Sequence, residues 1–353
     1  MVADDVLTAL QFQRDASTSE LYRVVLDATR ADIDAGGPCA DVLSHVDPAL
    51  RPIADAVLLR FLAGVHAIVL DGRAPALAAY YPSAGGHFDL DMPDPALGAA
   101  FVDAVGAHRA ELIDALDRSV QTNEVGRSAV LLLGYLEIAR TTGLPLRVLE
   151  IGSSAGLNLR WDRYRYEGGR DGSAWGDADS PVRLGGCYAE PLPDLAVAAE
   201  VVERRGCDAN PIDASTAVGR AHLRSFLWPD QLDRFAMLDG ALAVAAELPV
   251  VIERIDAAAF IDEQLAEPRG GVATVVAHSI VWQYFPPETR RHLYRRLQAA
   301  GDAASASAPL AWLRMEPGDD PAASAEVRLW QWPGMGDRLL ARAGYHGRPI
   351  RLT

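Results

Sequence analysis

The stretch of the chain that could do the most chemistry is EIGSSAG, residues 150–156, which fits two kinds of site. Spaced as G-x-S-x-G, Gly152, Ser154 and Gly156 match the turn that presents the nucleophile of a serine hydrolase. Spaced as E-x-G-x-x-x-G, Glu150 and the same two glycines match the first turn of a nucleotide-type cofactor site. The residues before and after this stretch favour the second interpretation.

The cofactor interpretation has its strand in the right place. RVLEI (147–151) has the composition of a buried strand, Gly152 permits a tight turn, and Gly156 lets the next helix pack closely. The nicotinamide pattern G-x-G-x-x-G fails, because Ser154 stands at its second glycine. S-Adenosylmethionine fits better, since it has no pyrophosphate for a helix N-terminus to neutralise and Glu150 can receive its ammonium group. The predicted cofactor residues of this stretch are Glu150, Gly152, Ser153, Ser154, Gly156 and Asn158.

A serine hydrolase with Ser154 as the nucleophile is the alternative enzyme. Its fold needs strands ahead of the nucleophile, whereas the residues upstream have helical spacing. Partners exist downstream, as Asp256 with His278 or as His346, but a chain with 48 acidic residues and 8 histidines offers such partners by chance.

Polar residues stand at the ends of the next predicted strands, where ligands bind in such sheets. Asp208 and Asn210, in GCDANP, follow the second strand, and an acid there can accept hydrogen bonds from both ribose hydroxyls of an adenosyl group. Asp256 and Ala257 follow the third strand, where a carboxylate or the main chain can meet the adenine amino group. We therefore add these four residues to the predicted cofactor site.

Three residues are candidates for a place near the methyl acceptor. His278 ends the fourth predicted strand, and because histidine is the usual general base in proteins it can take the acceptor's proton. Tyr284 follows that strand, and Glu124 is a second candidate base. The structural alternative for His278 is a packed histidine whose ring nitrogens bond to the main chain.

A polar cluster separates two helical patterns at Gln121, Asn123, Glu124 and Arg127. One interpretation is a helix cap, because Asn shortly before Glu is typical of caps. The other, which we prefer, is that the segment closes over the methionine end of the cofactor, so Asn123 and Arg127 join the predicted cofactor residues.

Arginines alternate with aromatic residues in RWDRYRY (160–166). Arg160, Arg163 and Tyr164, together with Trp282, could grip a planar or carboxylated substrate, because guanidinium groups stack on rings and bind carboxylates. Stacks of arginine and aromatic side chains also fasten protein surfaces together, and both interpretations stay open.

Six motifs carry a family resemblance that spans most of the chain beyond the first helices. They are QTNEVGR (121–127), EIGSSAGLNLRWDRYRY (150–166), WGDADSPV (175–182), RRGCDANPID (204–213), FLWPDQ (226–231) and HSIVWQY (278–284). With EIGSSAG and GCDANP in the places of the first and ribose-binding motifs, the chain resembles the class I S-adenosylmethionine-dependent methyltransferases. More closely, it resembles a largely actinobacterial family known as a domain of unknown function. The resemblance implies methyl transfer to a small-molecule acceptor. A methyltransferase-like protein that binds without turnover is the third hypothesis.

The elements that would position these residues change character along the chain. Helical spacing dominates to about residue 140, as in 20–33, 53–70 and 97–120. From residue 146 onward, strand patterns at 146–151, 197–202, 249–255, 273–280, 309–315 and 325–332 alternate with helical ones such as 287–300. The prediction is an α/β protein with a helical cap domain at 1–128 and a Rossmann-like, mostly parallel sheet of about seven strands at 129–353. An insertion at about 160–196 explains the long interval before Asp208.

Composition excludes several function classes. A net charge of −15 argues against nucleic acid as a partner, since phosphate binding needs clustered cations. The sequence has no lysine, which excludes a Schiff-base lysine and a P-loop kinase. The absence of H-x-x-H spacing and of paired cysteines predicts no metal site. We expect a cytoplasmic protein without a membrane partner, because no apolar run approaches about 18 residues and the first residues do not resemble a signal peptide. The sequence leaves the oligomeric state open.

Overall fold

The computed structural model describes residues 2–89, 91–92, 94–169, 172–192, 195–318 and 324–353. The chain forms two compact units, Met1–Thr122 with Thr216–Ala236, and Asn123–Ser215 with Met237–Thr353. Compared with the predicted division at residue 128, residues 123–128 fall in the second unit and Thr216–Ala236 in the first. The segment Thr216–Ala236 belongs to the first unit because the indole of Trp228 is part of the hydrophobic core of that helical unit.

The α-helices of the described residues are α1 (Asp4–Ala16), α2 (Glu20–Asp34), α3 (Pro38–Leu43), α4 (Val57–Leu70), α5 (Pro75–Ala78), α6 (Ala96–Ala107), α7 (Arg109–Leu116), α8 (Arg127–Thr142), α9 (Ala217–Ser225), α10 (Leu232–Glu247), α11 (Ala257–Gln264) and α12 (Pro287–Asp302). The strands are β1 (Leu146–Ile151), β2 (Arg165–Glu167), β3 (Ala174–Trp175), β4 (Arg183–Leu184), β5 (Val201–Asp208), β6 (Val251–Arg254), β7 (Ala273–Ser279), β8 (Leu310–Pro317), β9 (Ala325–Trp332), β10 (Met335–Ala343) and β11 (Ile350–Leu352). Short 3-10 helices cover Pro82–Ala84, Leu157–Arg163 and Trp282–Tyr284.

Apolar residues at helical spacing build the first unit, as predicted. In α2, Ser19 caps the helix by accepting a hydrogen bond from the amide of Tyr22, and Leu21 and Val25 on one face are fully buried. The single helix predicted over 97–120 is two helices, α6 and α7, because the backbone leaves the helical region at His108. None of the helices in the described part of the chain combines the length and the apolar character needed to cross a bilayer.

A mostly parallel sheet forms the centre of the second unit. Its eight strands, counted over the described residues, lie in the order β11-β10-β9-β8-β7-β1-β5-β6. The five strands β6, β5, β1, β7 and β8 are mutually parallel, and β9, β10 and β11 add an antiparallel edge. The predicted α/β class is confirmed, with one strand more than the expected seven. β10 and β11 were not predicted, since their charged residues interrupt any apolar run.

Helices cover both faces of this sheet. On one face, α8 approaches so closely that a Cβ atom on Gly134 would lie 2.2 Å from Leu313 of β8. On the other face, Leu149 and Ile151 of β1 share a hydrophobic cluster with residues of α11 and α12. Since side chains alternate along a strand, Glu150 lies on the face opposite that cluster.

The connection from β1 to β5 departs from a simple strand-helix-strand unit. The helix expected after the glycine turn is the 3-10 helix Leu157–Arg163, followed by a small sheet in the order β3-β2-β4. This sheet lies within the insertion predicted at 160–196, of which residues 170–171 and 193–194 lie outside the described residues. The strand predicted at 197–202 begins at Val201 and runs to Asp208 instead. Arg204 and Arg205 interrupt its apolar pattern because they pair with Asp162 and Glu253.

Candidate functional site

The turn after β1 has the conformation that its glycines predicted. Gly152 and Gly156 both have φ of +68°, and Ser154 between them has φ of +54°, which is uncommon for a residue with a Cβ atom. A Cβ atom on Gly152 would lie 2.4 Å from the side chain of Val281, and one on Gly156 would lie 2.6 Å from Ile252. The space at Gly156 is therefore filled by β6, and not by the following helix as predicted.

Glu150 is a buried carboxylate directly before this turn. Only 4% of the residue is exposed, and its Oε2 atom is buried with no hydrogen-bond donor among the described residues. The pKa of Glu150 is raised to about 8, mainly by burial; Arg127 and Arg160 oppose this rise, and nearby Asp208 contributes to it. An acceptor left without a donor at a buried position costs free energy, which a ligand carrying N–H groups would recover.

The predicted acids at the next strand ends take part in the local turns. Asp208 ends β5, accepting a hydrogen bond from the amide of Ser154 at 2.9 Å and another from the amide of Asn210 at 2.8 Å. The Asn210 side chain accepts from Arg254. Asp256 caps α11 and accepts from the amide of Ala258, directly after the buried Ala257. Asp208 thus connects the first two strand ends, whereas Asp256 lies at the end of β6.

The segment 123–127, predicted from QTNEVGR, connects to the glycine turn through side chains. Asn123, at φ +35°, accepts hydrogen bonds from the amides of Ala155 at 3.2 Å and Leu157 at 3.1 Å. The side chain of Asn158 donates to the carbonyl of Glu124 and accepts from the hydroxyl of Ser128. Asn123 and Asn158 therefore hold the turn against the start of α8 in the second unit.

Arg127 extends these contacts to the end of β7 and to the turn before β11. Its guanidinium donates to the carbonyl of Ser279 at 3.1 Å and to the carbonyl of Tyr345 at 3.0 Å. Glu124 accepts from the amide of Gly126, and its other oxygen lies 3.4 Å from Nδ1 of His346. From the sequence, His346 is predicted only as a possible triad partner of Ser154. Its pairing with Glu124 was missed because the two residues are far apart in the chain.

His278, the first candidate base, has both ring nitrogens engaged. Nε2 accepts a hydrogen bond from the indole of Trp312 at 2.9 Å, so Nδ1 carries the proton and donates to Glu316 at 2.6 Å. Trp282 stacks on the ring with centroids 5.3 Å apart. Because no ring lone pair is left to accept a proton, we do not retain His278 as the base. His278 is a packed histidine, but its ring nitrogens bond to the side chains of Trp312 and Glu316 instead of to the main chain.

Glu316 explains why His278 is held in this way. Its carboxylate accepts from the amides of Val281 and Trp282 as well as from His278, which fixes the turn after β7. Ile280 in this turn has φ of +51°, an outlier for a β-branched residue. Tyr284 ends the 3-10 helix that follows and is half-buried. With Asn123 and Ser154, Ile280 makes three strained residues around one edge of the sheet, as functional sites often have.

The predicted substrate residues of the 160–166 segment serve the fold. The Arg160 guanidinium donates to the carbonyls of Leu248 at 2.8 Å and Gly156 at 2.8 Å. Tyr164 is fully buried, and its hydroxyl donates to the carbonyl of Leu157. Arg163 is exposed and pairs with Asp162 of the same segment. These contacts support the glycine turn from behind, so Arg160 and Tyr164 have no surface to offer a substrate.

Ser153 is also internal. It is fully buried, and its hydroxyl donates to the carbonyl of Cys207. The hydroxyl of Ser154 is buried with no hydrogen-bond partner among the described residues. Among all the residues that the structure describes, no group of three or more His, Cys, Asp or Glu side chains is arranged to hold a metal ion.

The chain belongs to the bacterial family described as "Uncharacterized protein conserved in bacteria (DUF2332)", and the match covers residues 9–351. This membership confirms the predicted resemblance to a domain of unknown function. Comparison with curated proteins found no match, and neither did comparison with solved structures.

Proposed function

We propose that this member of the DUF2332 family binds S-adenosylmethionine and transfers its methyl group to a small-molecule acceptor. The carboxylate of Glu150 carries the proposal. It lies two residues before the Gly152–Gly156 turn, is buried, and has no donor for Oε2 among the described residues. A perturbed carboxylate at a strand end is typical of a ligand site, and an ammonium group is the partner that suits it.

The strand order supports a ligand at this edge. Counted along the chain, the five parallel strands lie in the order 3-2-1-4-5, which is also the order of the first five strands in doubly wound dinucleotide-binding sheets. The order reverses between β1 and β7. Ligands of such sheets bind beyond the carboxyl ends of the strands at that reversal, which is where Glu150, the glycine turn and Ser279 lie.

The residues present fit the parts of the proposed cofactor. Glu150 would receive the ammonium group, and Asp208 would accept from the ribose hydroxyls, since each carboxylate oxygen can accept a second hydrogen bond. Asp256 and Ala257 would meet the adenine, and Asn123 and Arg127 would close the methionine end. The proposed contacts to the ammonium group, the ribose and the adenine therefore involve the same residues as those predicted from the sequence.

The cofactor, when bound, supplies a methyl group on a sulfonium, and the chain has to align a nucleophile with it. Asn123 and Asn158 fix the glycine turn, and Arg127 fixes the end of β7 relative to it. Preorganised side chains of this kind lower the cost of bringing two reactants into line. The proposed site therefore works mainly by positioning.

A serine hydrolase finds less support. A serine nucleophile needs a base within hydrogen-bond distance, whereas Oγ of Ser154 is buried with no partner in the described residues, and both nitrogens of His278 are engaged. Labelling of Ser154 by a fluorophosphonate, abolished in Ser154→Ala, would restore that hypothesis.

The test is calorimetric titration of the full chain with S-adenosylmethionine and S-adenosylhomocysteine. We expect binding by the wild type, weakened about tenfold to a hundredfold in Asp208→Ala through loss of the charge-assisted hydrogen bonds to ribose. Asp208→Asn keeps an acceptor for the Ser154 amide but removes the charge. Weaker binding by this variant would therefore come from loss of the charge and not from a local collapse of the turn. Asp213→Ala, an exposed acid of the loop after β5, is the matched control.

The outcomes separate the hypotheses. Absence of binding by the wild type refutes the proposed function. Binding without transfer to any acceptor from broad metabolite pools favours the protein that binds without turnover. Equal affinities of wild type and Asp208→Ala remove Asp208 from the site and place the ribose elsewhere.

A further inference from the structure

Glu124 and His346 form an ion pair in which a buried carboxylate lies next to a partly exposed imidazole. Oε2 of Glu124 lies 3.4 Å from Nδ1 of His346. The Glu124 side chain is 3% exposed, whereas 31% of the His346 side chain is exposed. Because Nδ1 itself is buried, that exposure belongs to the other atoms of the side chain. A buried carboxylate behind a partly accessible imidazole is the way in which hydrolytic triads fix the tautomer of their base.

Two glycines bring the main chains on either side of this pair into contact. A Cβ atom on Gly126 would lie 2.5 Å from the carbonyl oxygen of His346, and one on Gly347 would lie 2.2 Å from the carbonyl oxygen of Gly126. The guanidinium of Arg127 adds a hydrogen bond to the carbonyl of Tyr345. The pair is therefore positioned by close backbone packing together with the hydrogen bond from Arg127.

The pair also lies beside the proposed cofactor site. Asn123, next to Glu124, accepts from two amides of the turn after β1. Arg127, which holds Tyr345, also donates to the carbonyl of Ser279 at the end of β7. The 123–127 segment thus connects His346 to both strands between which the order of the sheet reverses.

We propose that His346, oriented by Glu124, is the base of this site, and that the methyl acceptor is a hydroxyl or an amine. The inference rests on the proposed function. His278 cannot fill this role because Trp312 occupies its only lone pair.

The proposed step balances without a further reactant. The lone pair of the acceptor forms the bond to the methyl carbon while the methyl–sulfur bond breaks and its electrons remain on sulfur. The O–H or N–H proton of the acceptor passes to a ring nitrogen of His346, and Glu124 stabilises the resulting imidazolium. Thiolate and carboxylate acceptors have no proton to lose, so they lie outside the proposed class.

The first measurement uses diethyl pyrocarbonate, which acylates unprotonated imidazoles, on the full chain, with each histidine followed by mass spectrometry. Glu124 lies 3.4 Å from Nδ1 of His346, and Arg127 binds the carbonyl of Tyr345, the residue before it. We expect the pH midpoint of His346 acylation to fall by about one pH unit in Glu124→Gln and to be largely restored in Glu124→Asp. Asp262→Asn, at the exposed pair of His292 and Asp262, is the control, because it should leave the midpoint of His346 unchanged.

Saturating S-adenosylhomocysteine should slow acylation of His346 about tenfold without affecting His292. Suppose calorimetry shows that S-adenosylhomocysteine binds while two other results fail: the ligand does not protect His346, and Glu124→Gln does not shift the midpoint of His346. In that case the base assignment is wrong while the proposed function stands. If the ligand does not bind, the proposed function fails, and the base role falls with it.

The acceptor class has its own test. With methyl-labelled S-adenosylmethionine, wild type should transfer label to members of a panel of alcohols, phenols and amines, and His346→Asn should lose at least about tenfold of that rate while keeping its affinity for S-adenosylhomocysteine. A second panel contains thiols and carboxylates. Transfer only to that second panel, or to no compound in either panel, overturns the acceptor class.

Discussion

Replacing Glu150 by glutamine probes the proposed cofactor site through its dependence on pH. Burial raises the pKa of Glu150 to about 8 in the ligand-free protein. With that pKa, about one molecule in a hundred carries the ionised carboxylate at pH 6 and about one in ten at pH 7. Only the ionised form pairs with an ammonium group. The wild type should therefore bind S-adenosylhomocysteine about tenfold more tightly at pH 7 than at pH 6, a difference of about 1.4 kcal/mol.

The assay is calorimetric titration at the two pH values in buffers of equal ionic strength. The α-amino group of the ligand has an ordinary pKa of about 8 and stays largely protonated in this interval. Glu150→Gln should bind more weakly at pH 7 and lose the tenfold dependence, whereas Glu253→Gln, at an ion pair on β6, should keep it. The reasoning is refuted by a wild-type affinity that does not change between pH 6 and pH 7, or by a glutamine variant with the same dependence as the wild type.

Glu150 makes ligand binding stronger as the pH rises, but it makes the folded protein less stable over the same range. The pKa in the folded protein, about 8, lies above the unfolded value of 4.5. The contribution of Glu150 to stability is therefore complete below pH 4.5 and is lost as the pH rises through 8. Relative to the wild type, the free energy of unfolding of Glu150→Gln should rise by up to about 1.4 kcal/mol per pH unit in this window, measured by urea unfolding without ligand.

The remaining expectations concern stability. Gly152→Ala should cost more than Gly143→Ala, because both glycines have positive φ but only the first would bring its Cβ atom against another side chain. We expect about 1 kcal/mol for Gly143→Ala and at least about 2 kcal/mol for Gly152→Ala, by urea unfolding; equal losses would show that packing at the turn is loose. Trp312→Phe leaves Nε2 of His278 without its indole donor, so it should cost at least about 1 kcal/mol more than Trp330→Phe on the neighbouring strand. Equal losses in these two variants would mean that the hydrogen bond to His278 contributes nothing.

Much of the fold could be predicted from the sequence because it depends on local pattern. The mostly apolar residues of β1 and β7 predicted buried parallel strands, since both faces of such strands are covered by helices. Gly152 was predicted at a tight turn because few other residues adopt positive φ there. The polar residues Asp208 and Asp256 were predicted at strand ends from the end of each apolar pattern; Asp208 is the last residue of β5, and Asp256 follows β6 as the cap of α11.

What the residues at those strand ends contact depends on the tertiary structure. The indole of Trp312 decides that His278 has no lone pair to offer, and the close approach of Gly126 and Gly347 decides that Glu124 meets His346. These pairs are formed by strand pairing and by backbone contact between distant segments, and neither leaves a periodic signal in the sequence. The sequence by itself determined which residues stand at the edge of the sheet, because hydrophobic pattern and glycine conformation are local. Only the packed structure decided which of them are held by the fold and which remain accessible to a ligand.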